Sequence, residues 1–181
     1  MLMCAPSGFS PDDDGPSPTP LVDPIAWLFA EHGKHRELCD ALAQVATLPI
    51  AAPARLRRLA GALATDTALH VADEADDLFP RLRARMEPDD DIARVLGILA
   101  ADHDAERSAV RELQQALLAA ADAGVGPSTW PGLAALIGRF VDRRRRHIAL
   151  ANAVLLPIAR LRLTLDDQCA MARSMAARRA G

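Results

Sequence analysis

The chain has no tyrosine, only 3% aromatic residues, and few runs of β-branched residues. Because sheets are built largely from aromatic and β-branched side chains, this composition argues against a β protein. Alanine, leucine and arginine are abundant instead, and all three favour helix. Half of the 181 residues are hydrophobic, which is enough for one domain with a substantial core. We therefore expect an all-α fold.

Cysteine is scarce as well. The three cysteines, Cys4, Cys39 and Cys169, are widely separated and odd in number. No two of them form a CxxC motif. This usage argues against a disulfide framework and against a thiolate metal site. It is typical of reduced cysteines, and we expect a cytoplasmic protein.

Long apolar runs and an excess of positive charge are also missing. No apolar stretch is long enough to span a bilayer, and the N-terminus does not resemble a secretory signal. The formal net charge of −3 argues against a nucleic-acid partner bound by bulk electrostatics. One dense basic run, 143–146, is interpreted as a solvated flank of its helix that pairs with the acidic second helix.

Helix-breaking residues divide the chain into a tail, four long helices and a short fifth helix. Residues 1–22 are rich in proline and aspartate and are predicted to form a disordered tail. A bundle is predicted over 23–160 and a C-terminal helical extension over 161–181. The predicted helices run from about 24 to 46, 53 to 85, 89 to 123, from near 128 to a bend or fray around Pro157, and from 164 to 178.

On each long helix, apolar residues recur at steps of three and four, which predicts an antiparallel up-down four-helix bundle. Polar residues interrupt the middle of each inward stripe. All five histidines fall on these stripes, namely His32, His35, His70, His103 and His147. Because each buried polar group costs free energy unless it is satisfied, five imidazoles favour a metal site over an ordinary core.

One phrase of the sequence occurs twice, once intact and once changed. His70 is followed by Glu74 and His147 by Ala151, and each phrase ends in a proline ten places after its histidine. Residues four apart lie on one helix face, so His70 and Glu74 can bind the same ion, whereas Ala151 cannot bind any. Imidazole and carboxylate ligands without a thiolate favour iron or manganese over zinc.

A second repeat relates the first helix to the third. Residues 30–32 (Ala-Glu-His) match residues 101–103 (Ala-Asp-His). The chain therefore consists of two similar helical hairpins, each contributing histidines to the interior. Such an approximate twofold arrangement predicts two metal ions side by side.

These phrases resemble the hemerythrin-like (HHE cation-binding) domain family. The matching segments are 27–32 (Trp-Leu-Phe-Ala-Glu-His), 70–80, Asp102-His103, and His147 with Leu155-Leu-Pro157. The resemblance spans roughly residues 23–160. It implies a four-helix bundle that holds two non-haem irons and binds oxygen, senses oxygen, nitric oxide or redox state, or handles iron.

The resemblance also implies a ligand set: His32, His70, Glu74, His103 and His147, with Glu74 bridging both ions. A second bridging carboxylate is implied one turn after the last histidine, where this chain has Ala151. Asn152 is about 100° away around an α-helix and is a poor replacement, although its oxygen can coordinate. His35 and Glu106, one turn beyond His32 and His103, are further candidates as ligands or as partners of ligands.

The sequence thus favours a non-haem iron protein that binds or senses oxygen, nitric oxide or peroxide. Without the second carboxylate, its site would be mononuclear or asymmetric. Two alternatives stay open: an iron-dependent redox enzyme acting on peroxide or nitric oxide, and a metal-free bundle serving as an interaction or regulatory module. No separate acid–base pair is evident, so we favour a binding protein over an enzyme and assign no catalytic residue.

Overall fold

The computed structural model describes residues 22–180, so almost all of the predicted tail lies outside the described part. Within that part the chain is mostly helical and contains no strand. The elements are α1 (Pro24–Ala46), α2 (Pro53–Ala72), a π-helical segment π1 (Asp73–Leu78), α3 (Phe79–Arg85), a 3₁₀ turn (Pro88–Asp90), α4 (Ile92–Ala123), α5 (Leu133–Leu150), a second π-helical segment π2 (Ala151–Leu155), α6 (Leu156–Arg162) and α7 (Leu165–Ala180).

Four rods form the bundle. The second rod joins α2, π1 and α3, and the fourth rod joins α5, π2 and α6, while α1 and α4 are the first and third. The shorter α7 packs against α1 and π1. This arrangement confirms the predicted all-α four-helix bundle with a fifth helix. The proposed division into 1–22, 23–160 and 161–181 stays a prediction.

Several helix ends follow directly from the local sequence. The side chain of Asp23 accepts hydrogen bonds from the amides of Ile25, at 3.1 Å, and Ala26, at 2.8 Å, which caps α1. Before α7, Asp167 N–H donates to Thr164 Oγ1 at 3.2 Å, and Thr164 N–H donates to the Asp167 carboxylate at 3.1 Å. Together the two contacts form a capping box, with Asp167 in the place of the usual Glu or Gln.

The fourth rod begins later than predicted, at Leu133 instead of near Ser128. The amide of Ser128 donates to Leu48 O at 3.1 Å, and the amide of Gly126 donates to Pro49 O at 2.8 Å. A Cβ on Gly126 would lie only 2.1 Å from Leu48 O, so this approach of the two loops requires glycine. The loop contact therefore replaces the first turn of the predicted helix.

Both π-helical segments end two residues before a proline, Pro80 or Pro157. Proline has no N–H to donate and its ring clashes with the carbonyl four residues earlier, at Asp76 or Ala153. The extra residue of a π-turn makes room for that carbonyl. The fourth rod consequently continues as helix through Pro157 to Arg162 instead of fraying there.

The interior has three layers along the bundle axis. Two apolar clusters fill the ends, one around Leu42, Leu63 and Leu113 and the other around Leu28 and Leu99. The buried histidines lie in the layer between them. Since the apolar ends supply most of the hydrophobic stabilisation, the polar middle layer is free to serve a site.

No single helix in the described range 22–180 is both long and apolar enough to cross a membrane. The segments Leu133–Arg162 and Leu165–Ala180, which meet at a bend of 120°, satisfy the length and composition only as a pair.

Candidate metal centre

Four imidazoles and one carboxylate meet in the middle layer. Each rod supplies one histidine: His32 from α1, His70 from α2, His103 from α4 and His147 from α5. Glu74 comes from π1, and all five side chains are buried. They form two groups that share the carboxylate, His32–His70–Glu74 and Glu74–His103–His147. Within each group the potential ligand atoms lie within 4.8 Å of one another.

The carboxylate of Glu74 lies between the two pairs of imidazoles. Its Oε2 is 3.0 Å from His103 Nε2 and 3.1 Å from His147 Nε2. On the other side, Oε1 is 3.5 Å from His32 Nε2 and Oε2 is 3.6 Å from His70 Nε2. A carboxylate placed in this way can offer oxygens to two neighbouring ions.

Protonation at the centre suits cation binding. Burial alone would raise the pKa of Glu74, but the adjacent His70 and the hydrogen bonds with His103 and His147 hold that pKa well below its usual value. Burial lowers the pKa of His70 well below its usual value, against the opposing effect of Glu74. An ionised carboxylate and a neutral imidazole are the forms that bind metals, and the lowered pKa values of Glu74 and His70 both favour them.

The donor set of the two groups fits a pair of cations. Four Nε2 atoms lie within 3.6 Å of the carboxylate oxygens of Glu74. Glu74 Oε1 is buried without a hydrogen-bond partner, which is unusual for a charged oxygen. Imidazole and carboxylate donors without a thiolate suit a cation such as iron, manganese or zinc. The role of these five residues as ligands stays a prediction, but the structure does bring all five together.

His35 lies beside the centre but belongs to neither group. Its ring makes an edge-to-face contact with His70, with ring centroids 4.6 Å apart. Both of its ring nitrogens are buried without a hydrogen-bond partner. Burial, together with the charge of Arg144, lowers the pKa of His35 to about 2. His35 is thus a neutral ring that packs on a candidate ligand.

Glu106 also stands outside both groups, because an arginine holds its carboxylate. Arg144 Nη1 donates to Glu106 Oε2 at 3.1 Å, and both side chains are buried. The interpretation of 143–146 as a solvated flank is therefore wrong for Arg144. Arg145 pairs with Asp40 of α1 at 2.6 Å, and not with the second rod. The spacing Phe140–Arg144–His147, in steps of four and three, was the available signal that Arg144 points inward.

Asn152 contacts the outer side of His32, a contact that the expected α-helical rotation did not predict. Its Oδ1 lies 2.5 Å from His32 Nδ1, whereas Ala151 is fully buried in an apolar cluster. The expectation assumed α-helical rotation, but π2 begins at Ala151. Because a π-turn relates residue i to i+5, the residue five places after His147 comes round toward His32. Asn152 therefore supports His32 from the side away from Glu74, and neither position 151 nor position 152 supplies a carboxylate.

Two further side chains support the imidazoles. Asp102 Oδ2 lies 3.7 Å from His147 Nδ1. The ring of Phe79 stacks on His103, with centroids 5.4 Å apart and an angle of 4° between the rings. Phe79 therefore packs directly on a candidate ligand.

The sequence that forms this centre matches a known protein family. Residues 23–159 match the model of the hemerythrin HHE cation-binding domain. No curated protein matches the chain significantly, and neither does any solved structure. The match covers most of the 181 residues, including every residue of the two groups. The chain therefore belongs to the hemerythrin HHE cation-binding domain family.

Proposed function

We propose that this chain is a non-haem iron protein whose two ions share Glu74. The observation that carries the proposal is the position of this carboxylate between the His32–His70 pair and the His103–His147 pair. Each ion would have two imidazoles and an oxygen of Glu74 as protein ligands. Iron is preferred over manganese because imidazoles make up most of the donor set.

The two ions should bind unequally. A single anionic side chain serves both groups, and neither Ala151 nor Asn152 supplies a second carboxylate. Metal affinity depends on the charge of the ligand set, so the second ion gains less from binding than the first. We therefore propose an asymmetric site that holds one ion tightly and the other weakly, or one ion only.

The ligand we propose is oxygen, nitric oxide or peroxide. Three protein donors leave coordination positions open, and iron with an open position binds such molecules. The centre is enclosed by buried side chains, so only a very small ligand suits it. We favour binding or sensing over catalysis, and a cytoplasmic location, since the described cysteines Cys39 and Cys169 are unpaired thiols.

Iron content and the visible spectrum of the purified protein test this proposal. We expect one to two irons per chain and a change in the spectrum when nitric oxide is added without oxygen. Glu74→Gln should remove most of the iron, while Glu112→Gln, an exposed glutamate on α4, should not.

Two results would contradict the proposal. A stable chain that takes up no iron when supplied with it would favour the metal-free regulatory bundle. Steady turnover of peroxide or nitric oxide that is lost in His70→Ala would favour the redox enzyme over passive binding.

A further inference from the structure

Two arginines at the end of α7 form ion pairs with aspartates on the outer side of π1. Arg178 binds Asp73 through Nη1 and Asp77 through Nη2, the second at 2.8 Å. Arg179 Nη2 donates to Asp73 Oδ2 at 2.6 Å, and its Nη1 donates to Asp73 Oδ1 at 3.2 Å. Asp73 is completely buried under these guanidinium groups, and Asp77 is almost completely buried. Charge-assisted contacts of this kind are among the stronger hydrogen bonds in proteins.

The segment held by these two arginines, π1, also carries Glu74, the carboxylate that the two groups share. Asp73 precedes Glu74 directly, and Asp77 follows one turn later, all within π1. Glu74 is directed at the four imidazoles, whereas Asp73 and Asp77 are directed at α7. A π-turn is rarer and less favourable than an α-turn, so its geometry depends on its surroundings. The arginines thus contact π1 on the side away from the candidate ions.

The same helix also touches α1. The guanidinium of Arg179 lies over the ring of Trp27, 5.0 Å from its centroid, and Lys34 Nζ also lies 5.0 Å from that centroid. Trp27 stands five residues before His32 on α1. Contacts of α7 therefore reach both the rod that supplies His32 and the segment that supplies Glu74.

Apolar side chains hold α7 in place independently of these charges. Met171 and Met175 are fully buried in the cluster that also contains Leu28 and Leu78. Burial of such side chains contributes about 1.5–3 kcal/mol each. Removing the arginine head groups should therefore leave α7 docked, which makes the clamp separable from the fold.

We propose that Arg178 and Arg179 are positioning residues that act through Asp73 and Asp77 to hold Glu74 where both ions can share it. This inference rests on the proposed iron site and adds that α7 controls it. Loss of the clamp lets π1 relax, so Glu74 serves one group at the expense of the other. By linkage, binding of iron must in turn strengthen the docking of α7.

The test compares full-length Arg178→Ala/Arg179→Ala with wild type and with Arg173→Ala, an exposed arginine on the same helix. Ferrous iron is titrated without oxygen while affinity, stoichiometry and the visible spectrum are measured. Circular dichroism of the iron-free proteins reports the fold separately. We expect iron affinity to fall roughly 10–100-fold in the double variant, the usual effect of losing a contact behind a ligand. The control should bind as wild type does, and Arg178→Lys/Arg179→Lys should recover part of the loss.

Hydrogen exchange of residues 165–180 gives a second measurement that a merely structural role would not change. Loading with iron should slow this exchange in wild type, and should do so much less in the double alanine variant. Should the double variant fail to fold, Asp73→Asn keeps both arginines and must show the same loss of affinity.

Unchanged affinity and spectrum in the folded double variant would overturn this inference while leaving the iron site standing. A wild type that takes up no iron would instead remove the proposed function and this inference together.

Discussion

Asn152 presents its amide oxygen to Nδ1 of His32, at a distance of 2.5 Å. A hydrogen bond donated by Nδ1 leaves the lone pair of the ring on Nε2, which faces Glu74 and His70. Asn152 thus selects the form of His32 that can bind a cation. It reaches His32 only because π2 brings position 152 round to the interior.

The contrast between positions 151 and 152 gives the first prediction. Asn152→Asp places a carboxylate against Nδ1 of His32 and should raise the affinity for the ion bound by His32 and His70 about tenfold, because a carboxylate behind a ligating histidine raises its basicity. Ala151→Glu instead forces a charge into an apolar cluster and should lower the free energy of unfolding by about 3 kcal/mol. Iron titration checks the first variant and denaturant unfolding of the iron-free protein checks the second. The reverse pattern would restore Ala151 as the carboxylate position.

The two groups should be separable by single substitutions. His147→Ala removes a ligand from one group only and should leave one iron bound, whereas Glu74→Ala removes the shared ligand and should leave almost none. Metal analysis after gel filtration gives the stoichiometry. Equal loss of iron in both variants would mean that the ions do not bind as two groups sharing Glu74.

The buried pair of Glu106 and Arg144 predicts a strong dependence of stability on both partners. Glu106→Leu leaves Arg144 buried and unpaired and should cost about 3–5 kcal/mol, while Glu106→Leu/Arg144→Met should be close to wild type. Denaturant unfolding measures both. The double variant should keep its iron because Glu106 belongs to neither ligand group. Loss of iron in that folded variant would show that Glu106 serves the metal site.

His35 predicts how the stability of the iron-free protein changes with pH. The pKa of His35 is about 2 in the folded state, whereas its ordinary value is 6.5. As the pH falls below 6.5, the unfolded chain therefore binds a proton that the folded chain does not bind. Neutral His35 contributes its full share to the free energy of unfolding above pH 6.5. Below pH 6.5 that free energy falls by about 1.4 kcal/mol per pH unit. His35→Leu should show a slope that is shallower by this amount between about pH 6 and pH 4.

Denaturant unfolding at several pH values checks the sign. His35→Leu should not be less stable than wild type at neutral pH, because both nitrogens of His35 lack partners. Identical slopes in the two proteins would contradict the assignment of a buried neutral imidazole.

Much of the centre was predictable because helical periodicity is a local property. Steps of three and four residues place His32, His70, His103 and His147 on inward faces, and the four-residue spacing places Glu74 beside His70. The intervals 47–52, 86–91 and 124–132, each of which contains proline, separate the rods. These features need no knowledge of which helix packs on which.

The sequence by itself therefore determined the bundle, the five inward histidines and the His70–Glu74 pair, because each follows from the regular rotation of an α-helix. The tertiary structure alone decided that Asn152 and not Ala151 faces His32, since a π-turn breaks that rotation. Only the tertiary structure shows that Arg144 is buried against Glu106 and that Arg179 of α7 binds Asp73, because those contacts join residues far apart in the chain. Local spacing gives the face on which a side chain lies, whereas its partner depends on how the rods pack.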